Sequence, residues 1–237
     1  MSWLALLLVG LGLTDLVFSL TRRPWAGQVA GAVSVLVLGP LAGLTTAGGV
    51  VAWLLLAVAV AGWGVTVTVG FARGWAWLPL GWLGIVLALT LAVSGAAAPV
   101  DGPLGAWLAD LPVLDGDPGR ALMVAGAVLV QLVTGNVVVR LVLEVSGTSH
   151  PTPGASSLKG GRLLGPMERV AILGLGLAGE LTAAGVVVAA KGLLRFPELQ
   201  AAAGGAPGPG IHDVTEYFLV GSFVSWSVSL GTLALVA

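Results

Sequence analysis

The chain has 237 residues, 57% of them apolar and 9% charged, with a formal net charge of −1 and no cysteine. Soluble domains carry about 25% charged residues, so this composition leaves too little polar surface to face water on all sides. Near-zero net charge indicates no nucleic-acid partner, and the lack of cysteine excludes disulfides and thiolate metal sites.

Several apolar stretches reach the roughly 20 residues that cross a bilayer as helix. The expected fold class is all-α: a polytopic transmembrane helical bundle of about seven spans, with six to eight allowed, forming a single integral membrane domain over 1–237. Loops are expected near 95–119, 146–162 and 197–212. Membrane lipids are the first expected partners, with a membrane-protein partner or homo-oligomer next to them. The expected location is a cell membrane, crossed several times. No cofactor and no metal site are expected.

The first span is predicted over 2–20. Arg22 and Arg23 follow it and no basic residues precede it, which reads as a retained span and not a cleaved leader. Asp15 interrupts it. Two readings fit: an interfacial acid paired with Arg22 or Arg23, or a polar group turned into the bundle. The second span is predicted over 26–44, kinked or ended early by Gly39-Pro40. The third covers 50–71 and is closed by Arg73. The fourth covers 75–93, where Trp75, Trp77 and Trp82 read as an interfacial belt.

The stretch 95–119 contains Asp101, Asp110, Asp115 and Asp117 among prolines. Their spacing does not match a calcium loop, and the stretch reads as a solvated acidic loop whose Trp107 and Leu108 touch the membrane surface. The fifth span, over 121–143, brings Asn136 and Arg140 onto one helix face, four residues apart. Asn136 suits an interhelical hydrogen bond and Arg140 suits snorkelling to the interface.

A sixth span is predicted over 167–190. It carries Glu168 and Arg169 at its start and Lys191 and Arg195 past its end, with Glu180 in mid-span. Arg169, Glu180 and Lys191 recur at intervals of eleven residues. On a continuous helix that spacing returns each to within about 20° of one direction. Phe196-Pro197 is expected to end the continuation of this helix. The seventh span runs from 213 to the C-terminus, with Glu216 and Tyr217 at its entry and Ser222, Ser225, Ser227 and Ser229 along it as helix-contact residues. Basic loops tend to stay cytoplasmic, which predicts the N-terminus outside and the C-terminus inside. Lys191 and Arg195 then fall on the outer side, against that rule.

The segments Gly161-Arg162, Met167-Glu168-Arg169, Gly179-Glu180, Ala189-Ala190-Lys191-Gly192, Leu194-Arg195-Phe196 and Glu216-Tyr217-Phe218-Leu219-Val220-Gly221 resemble the motifs of the bacterial membrane domain of unknown function numbered 3307. Asn136 and Arg140 are similar to that family's Pro-Ala-Asn segment and its following arginine. The resemblance covers residues 134–226. At the N-terminus the family pattern of His, Asp-Phe and Gln is met here by Leu11, Asp15-Leu16 and Ser19, so only the aspartate is kept. The resemblance implies an uncharacterised integral membrane protein and brings no chemistry with it. The missing histidine removes the ground for a His-Asp metal or proton-transfer role.

Three functional expectations follow from the polar set. In the first, the charges pair inside the bundle and the chain is a structural or partner subunit. In the second, Glu180 is the central carboxylate of an ion, proton or small-solute transporter, with Arg169, Lys191, Arg195 and Asn136 lining the path. In the third, a membrane enzyme grips a lipid phosphate with its basic residues and uses Glu168 or Glu216 as base. No catalytic residue is assigned. The glycines of 174–179 imitate a nucleotide loop, but no strand precedes them.

Overall fold

A computed structural model describes residues 1–110, 116–148, 161–203 and 211–236, with side chains described except at 161–162, 191, 194–203 and 211–214. Ten α-helices carry the described chain, in the order α1 Ser2–Thr21, α2 Pro24–Leu41, α3 Ala47–Arg73, α4 Trp77–Val93, α5 Gly102–Ala109, α6 Pro118–Leu129, α7 Gly135–Val145, α8 Gly161–Leu177, α9 Leu181–Ala203 and α10 Ile211–Val236. A π-helical turn, Val130–Thr134, joins α6 to α7 without interrupting the rod. Among the described residues six stretches are long and apolar enough to span a membrane: Ser2–Thr21, Pro24–Leu41, Ala47–Arg73, Trp77–Ala96, Pro118–Val145 and Thr215–Val236. The protein is therefore an all-α, multi-pass membrane bundle in contact with membrane lipids.

The structure forms two compact units, Met1–Thr134 and Gly135–Leu235. In the first, α1 is the axis. Its residues from Ser2 to Gly12, with Thr14 and Asp15, are buried, because α2, α3 and α6 all pack on it. A helix apolar all round is the sequence form of such a position. Small residues make the close approach possible. A Cβ on Gly12 would meet Leu129 Cβ at 2.5 Å, and one on Gly126 would meet Leu8 Cβ at 2.8 Å. Between membrane helices the gain comes from van der Waals packing at such contacts. The outer helix α4 is held to α3 by the Trp82 indole, which donates to the Ala59 carbonyl at 2.9 Å.

Local chemistry sets the helix ends. The Thr46 hydroxyl accepts from the Gly49 N–H at 3.1 Å and starts α3, and Gly74, at φ 68°, ends it. The stretch expected as an open acidic loop contains α5, and two of its aspartates are helix caps. Asp101 accepts from the Gly102 N–H, and Asp117 accepts from the Gly119 and Arg120 N–H groups. Leu108, expected at the membrane surface, is buried beneath exposed Trp107.

In the second unit, α10 runs antiparallel to α7: Gly221 faces Val139 and Leu143, while Ser225 lies level with Arg169, which reaches Asn136. Helix α8 runs parallel to α10, since Glu168 meets Trp226 and Gly176 meets Leu233.

The single span expected over 167–190 is two helices. The Glu180 N–H donates to the Leu175 carbonyl at 2.8 Å and the Gly179 N–H to the Gly176 carbonyl at 3.1 Å. With Gly179 at φ 81°, these two bonds form a Schellman stop. The Glu180 carbonyl then accepts from the Ala184 N–H at 3.1 Å and opens α9. Past that point α9 continues through Phe196 and Pro197 to Ala203, further than the sequence predicted. The middle of the 146–162 loop and the 204–210 part of the third loop lie outside the described residues.

Candidate functional site

Among the described residues the buried charged side chains lie in two places, one in each unit. In the first unit Asp15, 4% exposed, sits on the central helix α1. Both of its carboxylate oxygens accept from the indole N–H of Trp63 on α3, at 3.3 and 3.2 Å, and Trp63 itself is fully buried. The Thr134 hydroxyl, also buried, borders the carboxyl group outside good hydrogen-bond geometry. Thr134 belongs to the π turn, a feature that widens the helix locally and recurs at functional sites. Asp15 is thus turned into the bundle. Arg22 and Arg23, its expected interfacial partners, are exposed beyond the end of α1.

Next to Asp15 lies a cavity of about 150 Å³. Buried Thr14, Asp15, Gly64 and Val67 form its floor. Exposed Phe18, Pro24 and Thr68 form its rim, with Phe71 between the two levels.

The second cluster centres on Arg169 of α8, only 2% exposed. Its guanidinium donates to Asn136 Oδ1 on α7 at 2.7 Å and to Ser225 Oγ on α10 at 3.2 Å. A planar fork with five donors can serve two helices at once, which an ammonium cannot do as well. The backbone of Gly135 makes room for it: a Cβ there would stand 2.6 Å from Arg169 Nε. The adjoining Glu168, also buried, accepts from the Trp226 indole at 2.9 Å. Three helices are therefore joined through one arginine, and α8 is joined to α10 a second time through the neighbouring acid.

Among the residues singled out from sequence, the structure brings Asn136, Glu168 and Arg169 together. It puts Asp15 in the other cluster. Arg140 and Glu216 are exposed and Tyr217 is half-buried. The Lys191 and Arg195 side chains lie outside the described residues. Glu180 is exposed at the α8–α9 turn, so the eleven-residue stripe of Arg169, Glu180 and Lys191 does not lie on one continuous helix. An acid at the N-cap position just before α9 is favoured by the positive end of the helix dipole. Glu180→Gln is expected to change unfolding free energy by less than about 0.5 kcal/mol, as for exposed surface positions. Chemical denaturation of the detergent-solubilised protein checks this.

Trp63, Trp226 and Gly135 were not picked out as polar-site residues from sequence. Tryptophan in an apolar chain reads as an interface marker, and its ring N–H gives no spacing signal of its own. Among the described residues no group of three or more His, Asp or Glu side chains is placed to hold a metal ion. Compared with known proteins, the chain matches no family model, no curated protein and no solved structure.

Proposed function

We propose that the chain is a structural membrane subunit whose buried charges hold its helices in one arrangement. The observation that carries this reading is the Arg169 guanidinium, buried and bonded to Asn136 on one neighbouring helix and Ser225 on another. Glu168 is engaged by Trp226 and Asp15 by Trp63 in the same manner. Buried polar groups used in this way specify how helices pack. A second copy or a different membrane protein is the natural partner of such a subunit. Glu180, the central group of the transport reading, is exposed at a helix turn, so the structural reading is favoured over it. The lipid-phosphate enzyme gains no observation among the described side chains. Membership of the family numbered 3307, as a divergent relative, is part of the proposal and rests on the motifs of residues 134–226.

The test is a comparison of proteoliposomes containing the wild type, Glu180→Gln and Arg169→Gln with protein-free liposomes, read with an internal pH dye. The expected result is the same slow proton leak in all four, with a lowered melting temperature for Arg169→Gln alone. A wild-type flux that Glu180→Gln abolishes without loss of fold would overturn the structural reading.

The count of six apolar spans among the described residues also bears on topology. Six crossings return the chain to the side on which it began, and with Arg22, Arg23 and Arg73 in cytoplasmic loops that side is the outer one. The proposed arrangement has both termini outside, which moves the C-terminus from its expected cytoplasmic place. With no native cysteine, single introduced cysteines report this cleanly. Ala98→Cys and Ala234→Cys are expected to react with an impermeant maleimide on intact cells, and Thr21→Cys and Ser146→Cys only after permeabilisation. Protection of Ala234→Cys while Ala98→Cys reacts would return the C-terminus to the cytoplasm.

A further inference from the structure

We infer that the cavity beside Asp15 is a binding site for a small organic ammonium ion. The buried Asp15 carboxylate has roughly four lone-pair positions; the Trp63 indole N–H is shared between its two oxygens, and the Thr134 hydroxyl beside it is another neutral polar neighbour. Among the described residues no lysine or arginine is paired with it. A carboxylate kept from water and met only by neutral groups is stabilised by a positive partner, and the cavity beside it is the space in which that partner fits.

The walls select its chemistry. A calcium or similar hard cation takes six to eight oxygen ligands. Here the oxygens on the lining side chains are those of Asp15, Thr14 and Thr68. The two hydroxyls already donate to the Gly10 and Gly64 carbonyls, at 2.9 and 2.7 Å. Val67, Pro24, Phe18 and Phe71 supply the rest, an apolar and aromatic surface that suits methyl groups and attracts a cation to ring faces. No basic side chain lines the cavity. About 150 Å³ is the volume of about five waters at roughly 30 Å³ each, enough for methylammonium or tetramethylammonium but too small for long-chain tetraalkyl ions. Exposed Phe18, Pro24 and Thr68 mark the entrance.

The experiment is calorimetric titration of the full-length protein in nanodiscs with methylammonium and tetramethylammonium chloride, against sodium chloride at equal ionic strength. Saturable binding of at least one ammonium ion is expected, without competition from sodium. Asp15→Asn is expected to weaken it at least tenfold. Thr68→Phe, a change at an exposed rim position that leaves the carboxylate in place, is expected to weaken it to a similar degree by closing the entrance. Absence of wild-type binding, equal competition by sodium, or unchanged affinity in Asp15→Asn overturns the proposal. Should Asp15→Asn fail to fold, Thr68→Phe decides alone, and unchanged binding by that variant overturns it.

Discussion

Replacing Arg169 with alanine is expected to lower the unfolding free energy of the solubilised protein by about 2–4 kcal/mol, combining two orphaned polar partners with a cavity. The reasoning starts from what is left behind. Without the guanidinium, Asn136 Oδ1 and Ser225 Oγ lose the donor that reaches them at 2.7 and 3.2 Å, inside a contact among three helices that water does not enter freely. Arg169→Lys should recover only part of the loss. The ammonium keeps the charge, but its single head cannot present the planar fork that spans both helices, so a deficit of about 1–2 kcal/mol should remain. Asn136→Ala gives the complementary measurement. If the arginine acts through this pair, the double variant Asn136→Ala/Arg169→Ala should cost less than the two single losses added together. Strict additivity would show that the hydrogen bond does not couple the helices.

Gly31→Val is expected to be the most damaging change in the first unit, at about 1–3 kcal/mol or more, the usual cost of overpacking. A Cβ at position 31 would run into the Thr14 hydroxyl and would stand 2.8 Å from the Gly10 carbonyl oxygen and from Val60 Cγ1. The first neighbour could rotate, but the second is backbone and cannot. Gly27 makes the same demand one turn earlier, with the Thr14 carbonyl oxygen 2.5 Å from its would-be Cβ. Both helices would have to separate, and the contact of α1 with α2 would open along its length. Gly48, which has nothing within 4 Å of its would-be Cβ, is the control: Gly48→Ala should leave thermal unfolding unchanged. A normal melting profile for Gly31→Val would mean that the α1–α2 contact is looser than this geometry requires.

The span pattern was legible because lipid imposes a single rule, long apolar runs, and α1 and α4 lie within two residues of where that rule places them. The identity of individual buried charges was legible for the same reason. Asp15, Asn136, Glu168 and Arg169 stand out because an ionisable or amide group is costly in such a setting. Their partners were not legible. Asp15 and Trp63 are separated by 48 positions and Arg169 and Ser225 by 56, and no periodicity along one helix reports a contact between two.

The break at Glu180 was missed for a different reason. Gly176 and Gly179 belong to a stretch rich in small residues, which reads equally well as a helix face that packs closely. Only the backbone shows that Gly179 takes the left-handed conformation and that the apolar run contains a stop. The Trp82 bond was likewise out of reach of sequence, because a rule about headgroups says nothing of the preceding helix, whose Ala59 carbonyl the ring meets.

The enclosure of α1 carries a consequence for biogenesis. Synthesis delivers this helix before everything that surrounds it: α2 emerges next, Trp63 only with α3, and Leu129 and Thr134 after more than a hundred further residues. Until then the segment with the most protein neighbours in its unit has acyl chains or the insertion machinery as company, and its aspartate has no indole to meet it. A nascent chain cut off before α6 would leave that helix uncovered on one side, a state that membrane quality-control proteases are suited to recognise.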